Sequence, residues 1–450
     1  MDFDMLGLSP RLVAGLAAQN ITDPTPIQSR AIPHGLNGRD VLGLAQTGTG
    51  KTAAFGLPLL DKLLKEGTKP APRTCRGLIL APTRELVSQI SESLRGFTEG
   101  SHLRINLIVG GVSINPQIKR LEKGADLIVA TPGRLIDLLD RKAVRLSDTR
   151  FLVLDEADQM LDLGFIHALR KIAPLLPKER QTMLFSATMP KQMEELSRAY
   201  LTDPVRVEVS PPGKVADKIT QSVHFVDQSE KPSKLIELLA HHRDELALVF
   251  ARTKHGSDRL ARKLAAAGYE VAAIHGNRSQ GQRERALKAF REGTLKVLVA
   301  TDVAARGIDI PDVRFVYNYD MPNVPENFVH RIGRTARAGR DGQAVAFVAQ
   351  DEMGELRAVQ KVMGLTLPVA GGSPWERDEE RAKPKRNGGG GGGAGRRRGG
   401  PGGNGGGQKR KTTAATPNPG RSAKGTGGPG KAPGKPGNKR RRPRRARSAA

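Results

Sequence analysis

The chain has 450 residues, with 73 Lys/Arg against 46 Asp/Glu, a formal net charge of +27. The excess sits at one end: residues 381–450 hold 21 Lys/Arg and no acid, which leaves the first 380 residues at only +6. No apolar run reaches the ~18–20 residues of a membrane span, the opening MDFDMLGLSP is acidic where a signal peptide would be basic, and a single cysteine, Cys75, excludes a disulfide framework or a Cys-rich zinc site. These features imply no membrane partner and a reducing, cytoplasmic setting. Without the basic end, the body of about 370 residues suggests two domains, possibly a third, by length alone.

In chain order, short apolar runs alternate with amphipathic stretches. The runs in the first half are Asp40–Ala45, Gly77–Ala81, Ile105–Val109, Leu127–Ala130, Phe151–Leu154 and Thr182–Ser186. They carry Val, Ile and Leu with little polar alternation, the pattern of strands buried on both faces of a parallel sheet. Helical periodicity fills the gaps, as at Glu85–Phe97 and Arg134–Leu139. Strand–helix alternation of this kind predicts a doubly wound α/β domain.

After Tyr200 the sequence LTDPVRVEVSPPGKVADK reads as a linker, from its prolines and charges. The alternation restarts with Leu246–Phe250, Val271–Ile274, Lys296–Ala300, Arg314–Tyr317 and Ala344–Val348. The expected organisation is therefore α/β: a first domain over 1–209, a linker over 210–216, a second domain over 217–368 and a tail over 369–450. The tail is rich in Gly, Pro, Arg and Lys and, past Trp375, has no aromatic residue. It cannot bury enough apolar surface to offset chain entropy and is expected to be disordered. Its charge points to a polyanion, most simply nucleic acid.

Ala45-Gln46-Thr47-Gly48-Thr49-Gly50-Lys51-Thr52 directly follows the first apolar run and precedes a helix-compatible stretch. Strand, glycine-rich turn and helix N-terminus together make a phosphate-binding loop. The glycines let backbone N–H groups curve round the phosphates, and the helix dipole favours negative charge. Lys51 is placed to reach the β- and γ-phosphates and the Thr52 hydroxyl to ligate Mg²⁺. Ala45 stands where the strict pattern has Gly. Such a loop needs a carboxylate from a second strand end, and Phe151–Leu154 delivers Asp155-Glu156-Ala157-Asp158. Asp155 would hold the metal, largely through water, and Glu156 would act as general base on the attacking water.

These residues resemble the DEAD-box RNA helicases of helicase superfamily 2, over about residues 3–365 and with the motifs in that family's order. The HRIGRTAR sequence and the loop look most like the RhlE-type branch. The resemblance implies two tandem RecA-like domains, ATP as cofactor and RNA as partner. Pro24-Thr25-Pro26-Ile27-Gln28 matches the Q motif, which makes Gln28 the adenine reader, with Phe3 the upstream aromatic. Asn20-Ile21 stands where the family often has Gly-aromatic.

The same resemblance assigns the RNA backbone to Pro82-Thr83-Arg84, Gly111 of the Gly110-Gly111 pair, and Thr131-Pro132-Gly133-Arg134. In the second half it assigns Arg252-Thr253, Gln280 with Arg283, and Thr301. Ser186-Ala187-Thr188 matches the segment that links ATP state to unwinding. Gly307 and Asp309 would meet the nucleotide, Asp309 at the ribose. His330 would link to the DEAD segment, and Arg334 and Arg337 would reach the γ-phosphate as arginine fingers. Ala336 stands where the family has Gly.

The activity implied is RNA-stimulated ATP hydrolysis coupled to local unwinding of short duplexes and remodelling of ribonucleoproteins. Partners from ribosome assembly or RNA decay would fit. The rival readings are an ATP-gated RNA clamp or annealing chaperone, and a DNA-directed motor of the same superfamily. Cys75 reads as a small buried apolar residue, and His241-His242 lacks any further ligand pattern. Trp375 has no assignment from sequence.

Overall fold

The computed structural model describes residues 2–46, 48–209, 218–305, 310, 312–336 and 340–375. Thr47, Gly307, Asp309, Arg337, the linker over 210–216 and residues 376–450 of the tail lie outside the described residues.

The apolar runs of the first half form seven parallel strands: β1 (Val41–Leu44), β2 (Cys75–Leu80), β3 (Ile105–Ile108), β4 (Ala125–Ala130), β5 (Phe151–Leu154), β6 (Gln181–Ser186) and β7 (Val205–Glu208). Their order across the sheet is β3-β4-β2-β5-β6-β1-β7. Both faces are covered, as the unbroken apolar strands require. On one face Ile79, Val129, Val153 and Phe185 meet Ile27, Leu60, Val87 and Ile90 from the helices Pro26–Leu36, Lys51–Glu66 and Arg84–Phe97. On the other, Leu80, Ile128, Leu154 and Leu184 meet Leu135, Leu138, Met160 and Leu169.

The second half builds β8 (Ile219–Phe225), β9 (Leu246–Phe250), β10 (Val271–Ile274), β11 (Val297–Ala300), β12 (Val313–Asn318), β13 (Gly342–Val348) and β14 (Val369–Gly371). Their order is β10-β11-β9-β12-β13-β8-β14. Strand for strand, this is the order of the first sheet, so the two domains share one topology. Among the described residues no helix is long and apolar enough to cross a membrane.

Two segments depart from the sequence reading. The stretch read as a linker contains β7, which pairs with β1 in register Val41↔Val205 to Leu44↔Glu208 and closes the edge of the first sheet. The stretch read as the start of the disordered tail contains β14, which pairs with β8. Just beyond it, the Trp375 indole N–H donates to the Val348 carbonyl at 3.2 Å, and the ring packs against the apolar cluster around Val223, Phe328 and Leu356. Residues 369–375 therefore belong to the second domain's fold.

In both sheets the parallel strands point their C-terminal ends to one edge, where open α/β sheets bind ligands. The phosphate loop, the DEAD segment and the other motif segments after β1 follow strand ends, whereas the Pro24–Gln28 segment precedes β1 at the start of the helix Pro26–Leu36.

Candidate functional site

The phosphate loop leaves β1 with the Ala45 N–H bonded to the Ser186 carbonyl of β6 at 3.0 Å. Gly48 (φ 86°) and Gly50 (φ 89°) take the left-handed backbone that lets the loop turn into the helix Lys51–Glu66. The Thr49 hydroxyl donates to the Gln46 carbonyl at 2.8 Å, and the Thr25 hydroxyl to the Thr49 carbonyl at 2.8 Å. Gln28 joins the two segments: its carbonyl oxygen accepts from Thr25 N at 2.9 Å and its amide donates to the Gly50 carbonyl at 3.0 Å. These two bonds use one of its amide N–H groups and one oxygen lone pair. A side chain at Gly50 would meet that amide at 2.4 Å, so the contact itself requires glycine.

Lys51 is 6 % exposed; among the described residues its ammonium has no hydrogen-bond partner, and it lies 4.0 Å from Asp155. Asp155 closes β5, where burial pushes its carboxyl up to about 7 against the pull of Lys51. A buried ammonium without a hydrogen-bond acceptor among the described residues, beside a carboxylate that burial keeps reluctant to ionise, suits a phosphate with its cation. Thr52, beside Lys51 at the helix start, and Asp155 are the residues that fit Mg²⁺. Glu156 is 2 % exposed and holds φ 49°, a strained left-handed conformation that turns the chain from β5 into the helix Ala157–Asp162. Strain of this kind concentrates at functional sites.

Asp158 was legible in the sequence only as the last letter of its tetrapeptide. In the structure it organises the site. One carboxylate oxygen accepts from Ala187 N (3.1 Å), Thr188 N (2.9 Å) and the Thr188 hydroxyl (2.9 Å). The same oxygen lies 3.9 Å from His330 Nε2 of the second domain. Burial works to raise its carboxyl, but His330, Lys51 and the hydrogen bonds outweigh it and hold it below the usual carboxylate range.

His330 sits on the helix Glu326–Ile332, and its carbonyl accepts from Arg334 Nε at 3.1 Å. Arg331, buried between them, is held bidentately by Asp302 at 2.5 and 2.7 Å and also donates to Asn318 and to the Asp320 carbonyl. Asp302 and Arg331 are a second pair that sequence reasoning missed. They tie the segment after β11 to the helix that presents His330 and Arg334. Phe3 differs from expectation. It is 3 % exposed within the first domain's core, so it supports the neighbouring segment and presents almost no face to a base.

A cleft of about 520 Å³ runs between the domains, lined by Pro82, Thr83, Arg84, Gly110, Thr131, Gly133 and Arg134 on one side and by Arg278, Arg283 and Val303 on the other. Thr83 caps the helix Arg84–Phe97 through Leu86 N, and Arg134 donates twice to the Val112 carbonyl. Arg84 lies over Gly111, where an added Cβ would come within 1.8 Å of its guanidinium. Pro132 opens the helix Pro132–Asp140, and Thr301 directly follows β11, two residues before Val303. Glu85 bridges the domains, accepting from Arg283 at 3.1 Å and Gln280 at 3.3 Å, while Arg84 donates to Gln280 at 3.3 Å. Arg252 and Thr253 are not brought into this cleft. Arg252 is bound to Glu352 at 2.8 Å, Thr253 caps the helix Lys254–Ala266, and both line a separate cleft on the second domain.

Known proteins match this arrangement. Residues 25–196 match the DEAD/DEAH box helicase family and residues 230–339 the helicase conserved C-terminal domain. The ATP-dependent RNA helicase CshA of Listeria monocytogenes is 43 % identical over 374 residues, covering 83 % of this chain and 71 % of that protein. The chain belongs to the DEAD-box ATP-dependent RNA helicases. The DEAD-box ATP-dependent RNA helicase CshA of Bacillus subtilis is 43 % identical over 80 % of this chain and 72 % of its own length. These relatives carry the CshA name and do not bear out an RhlE-type branch. Among solved structures, S. cerevisiae Dbp5 bound to RNA and ADP BeF3 aligns with a TM-score of 0.74 at 35 % identity, over 82 % of this chain and 95 % of that one. Mss116p bound to ssRNA and AMP-PNP aligns at 0.75 and 26 % identity, over 83 % and 79 %. Both support the two tandem RecA-like domains.

Proposed function

We propose that this DEAD-box protein couples RNA-stimulated ATP hydrolysis to local opening of short RNA duplexes and to ribonucleoprotein remodelling. The observation that carries this reading is that each site draws on both domains. The phosphate loop and DEAD segment stand on the first domain, yet His330 and Arg334 come from the second, and the basic cleft is lined from both sides. Binding on either face therefore favours the same closed arrangement, so nucleotide and RNA reinforce one another.

Gln28 reads the adenine, and Gly48, Gly50 and Lys51 cradle the phosphates. Thr52 and Asp155 would hold Mg²⁺, which would neutralise phosphate charge. Glu156 takes the proton from the attacking water, and Arg334, with Arg337, stabilises charge on the transferring phosphoryl group. Along the cleft, Thr83, Arg84, Gly111, Thr131, Arg134, Gln280, Arg283 and Thr301 hold the sugar–phosphate backbone without reading bases. A cytoplasmic site of action fits a fold whose one thiol, Cys75, is buried and needs no oxidising compartment.

The test is ATPase and strand separation with matched RNA and DNA duplexes. Glu156→Gln should lower ATP turnover by about 10²–10⁴-fold while ATP still binds. Remodelling that survives Glu156→Gln at the wild-type rate would favour an ATP-gated clamp or annealing chaperone, and equal stimulation by DNA would favour a DNA-directed motor.

A further inference from the structure

The shared strand order allows the two nucleotide edges to be superposed in thought, strand by strand. In the first domain, Lys51 opens the helix after β1 and lies 4.0 Å from Asp155, which follows β5. In the second domain, Lys231 opens the helix Lys231–Ala240 after β8, β1's counterpart, and lies 3.8 Å from Asp320, which follows β12, the counterpart of β5. The pair is thus repeated at the equivalent place. The difference lies in what meets the ammonium. Among the described residues Lys51 has no hydrogen-bond partner, whereas Lys231, fully buried, donates to Glu352 at 2.5 Å and to the Tyr319 carbonyl at 2.9 Å.

Glu352 follows β13, the counterpart of β6, and is 2 % exposed. Its carboxylate receives four donors: the Lys231 ammonium, the Arg252 guanidinium at 2.8 Å, Met321 N at 3.1 Å and Ala349 N at 3.1 Å. Lysine, arginine and converging backbone N–H groups are the donor set that proteins assemble for a phosphate oxyanion. The turn before Lys231, Val226-Asp227-Gln228-Ser229-Glu230, has no glycine, and it closes with Glu230 N and Lys231 N both bonded to the Asp227 carbonyl. It leaves no loop to wrap a polyphosphate. A cleft of about 480 Å³ lies over the cluster and includes Arg252, Asp320 and Glu352 in its lining.

We propose that the second domain carries its own single-phosphate anion site, held shut by Glu352, whose carboxylate sits where an inorganic phosphate would bind. The site's ligand class is one tetrahedral oxyanion, and Glu352 is its built-in substitute. This keeps the second domain folded and free of nucleotide, so that it approaches the first domain's ATP only as a donor of His330 and Arg334. One chain accordingly takes one nucleotide.

The test uses the full chain with Lys51→Ala in every arm, which removes the first domain's phosphate lysine. Adding Glu352→Ala leaves the fully buried Lys231 ammonium without its carboxylate, and Arg252 without its partner, and should lower the melting temperature by about 10 °C. Inorganic phosphate should then restore at least half of that loss in a saturable titration. The Lys51→Ala parent and the triple variant with Lys231→Met should show no saturable response. If the Glu352→Ala chain does not fold, its refolding yield in phosphate against chloride is the readout, and phosphate should raise it only where Lys231 is present. No phosphate effect on Glu352→Ala, or an equal effect with Lys231→Met, overturns the proposal.

Discussion

Ala336 holds φ 56°, in the left-handed region where a side chain costs about 1–2 kcal/mol. The resemblance placed Gly at this position, and the backbone supplies the physical reason. Ala336→Gly should raise stability by up to ~1 kcal/mol, because relief of strain is partly offset by the extra freedom glycine has in the unfolded chain. A urea midpoint that stays level or falls would show that the neighbouring Thr335 and Gly342 already absorb the strain. Much of the site was visible at this scale before any coordinates. Lys51, Thr52, Asp155 and Glu156 are recognisable because their chemistry depends on local spacing at a strand end. Asp158 and Arg331 were not, because their partners, Thr188 and Asp302, lie about thirty residues away and only the fold brings them together.

The strands that were legible carry near-continuous apolar residues: the central ones with two buried faces, and also β3 and β10 at one edge of each sheet. Those missed are at or beside edges. β8 reads ITQSVHF, with Thr220, Gln221 and Ser222 leaning towards less buried surroundings, and β7 and β14 are short and partly exposed. A half-polar strand beside prolines looks like a linker until its pairing is known. β8 also carries His224, and His242 follows the helix after it, stacked on Phe315 at 3.5 Å and bonded to the Tyr317 hydroxyl at 2.7 Å.

Partial burial is the main cause lowering both histidines, helped by Lys234 at His224 and by His241 at His242. Glu237 and Glu245 oppose it, respectively. The fold thus favours their neutral forms, while the unfolded chain takes up protons near the ordinary value of 6.5. Stability from these groups is complete above that pH and is lost as pH falls below it. Melting temperatures measured from pH 7.5 to 5.5 should decline, and His224→Gln/His242→Gln should flatten the decline. An equally steep curve in the double variant would place the acid sensitivity elsewhere.

At the scale of the whole molecule, one topology is used twice for different ends. The first copy keeps a glycine-rich phosphate loop, and the second fills its corresponding corner with its own carboxylate and brings His330 to within 3.9 Å of Asp158. Glu85 and Arg283 meet between them in the cleft at 3.1 Å, a direct ion pair from one domain to the other. The motif residues all precede the basic tail in the sequence. Its 21 Lys/Arg at 381–450 supply most of the chain's net charge of +27, and no catalytic residue falls within it.

A truncation that tests the tail must end after Trp375, since a cut at Pro368 would also remove β14 and the indole bond to Val348. Ending at 375 should weaken RNA binding by roughly tenfold or more at low salt and make its salt dependence shallower, because fewer phosphates are neutralised. ATP turnover at saturating RNA should stay within about twofold of the full chain, because the tail raises local RNA concentration and leaves the closed arrangement of the two domains unchanged. Filter binding across a salt series, run beside an ATPase titration on the same preparations, separates the two effects. A truncated protein whose saturated turnover collapses would make the tail part of the engine rather than a tether.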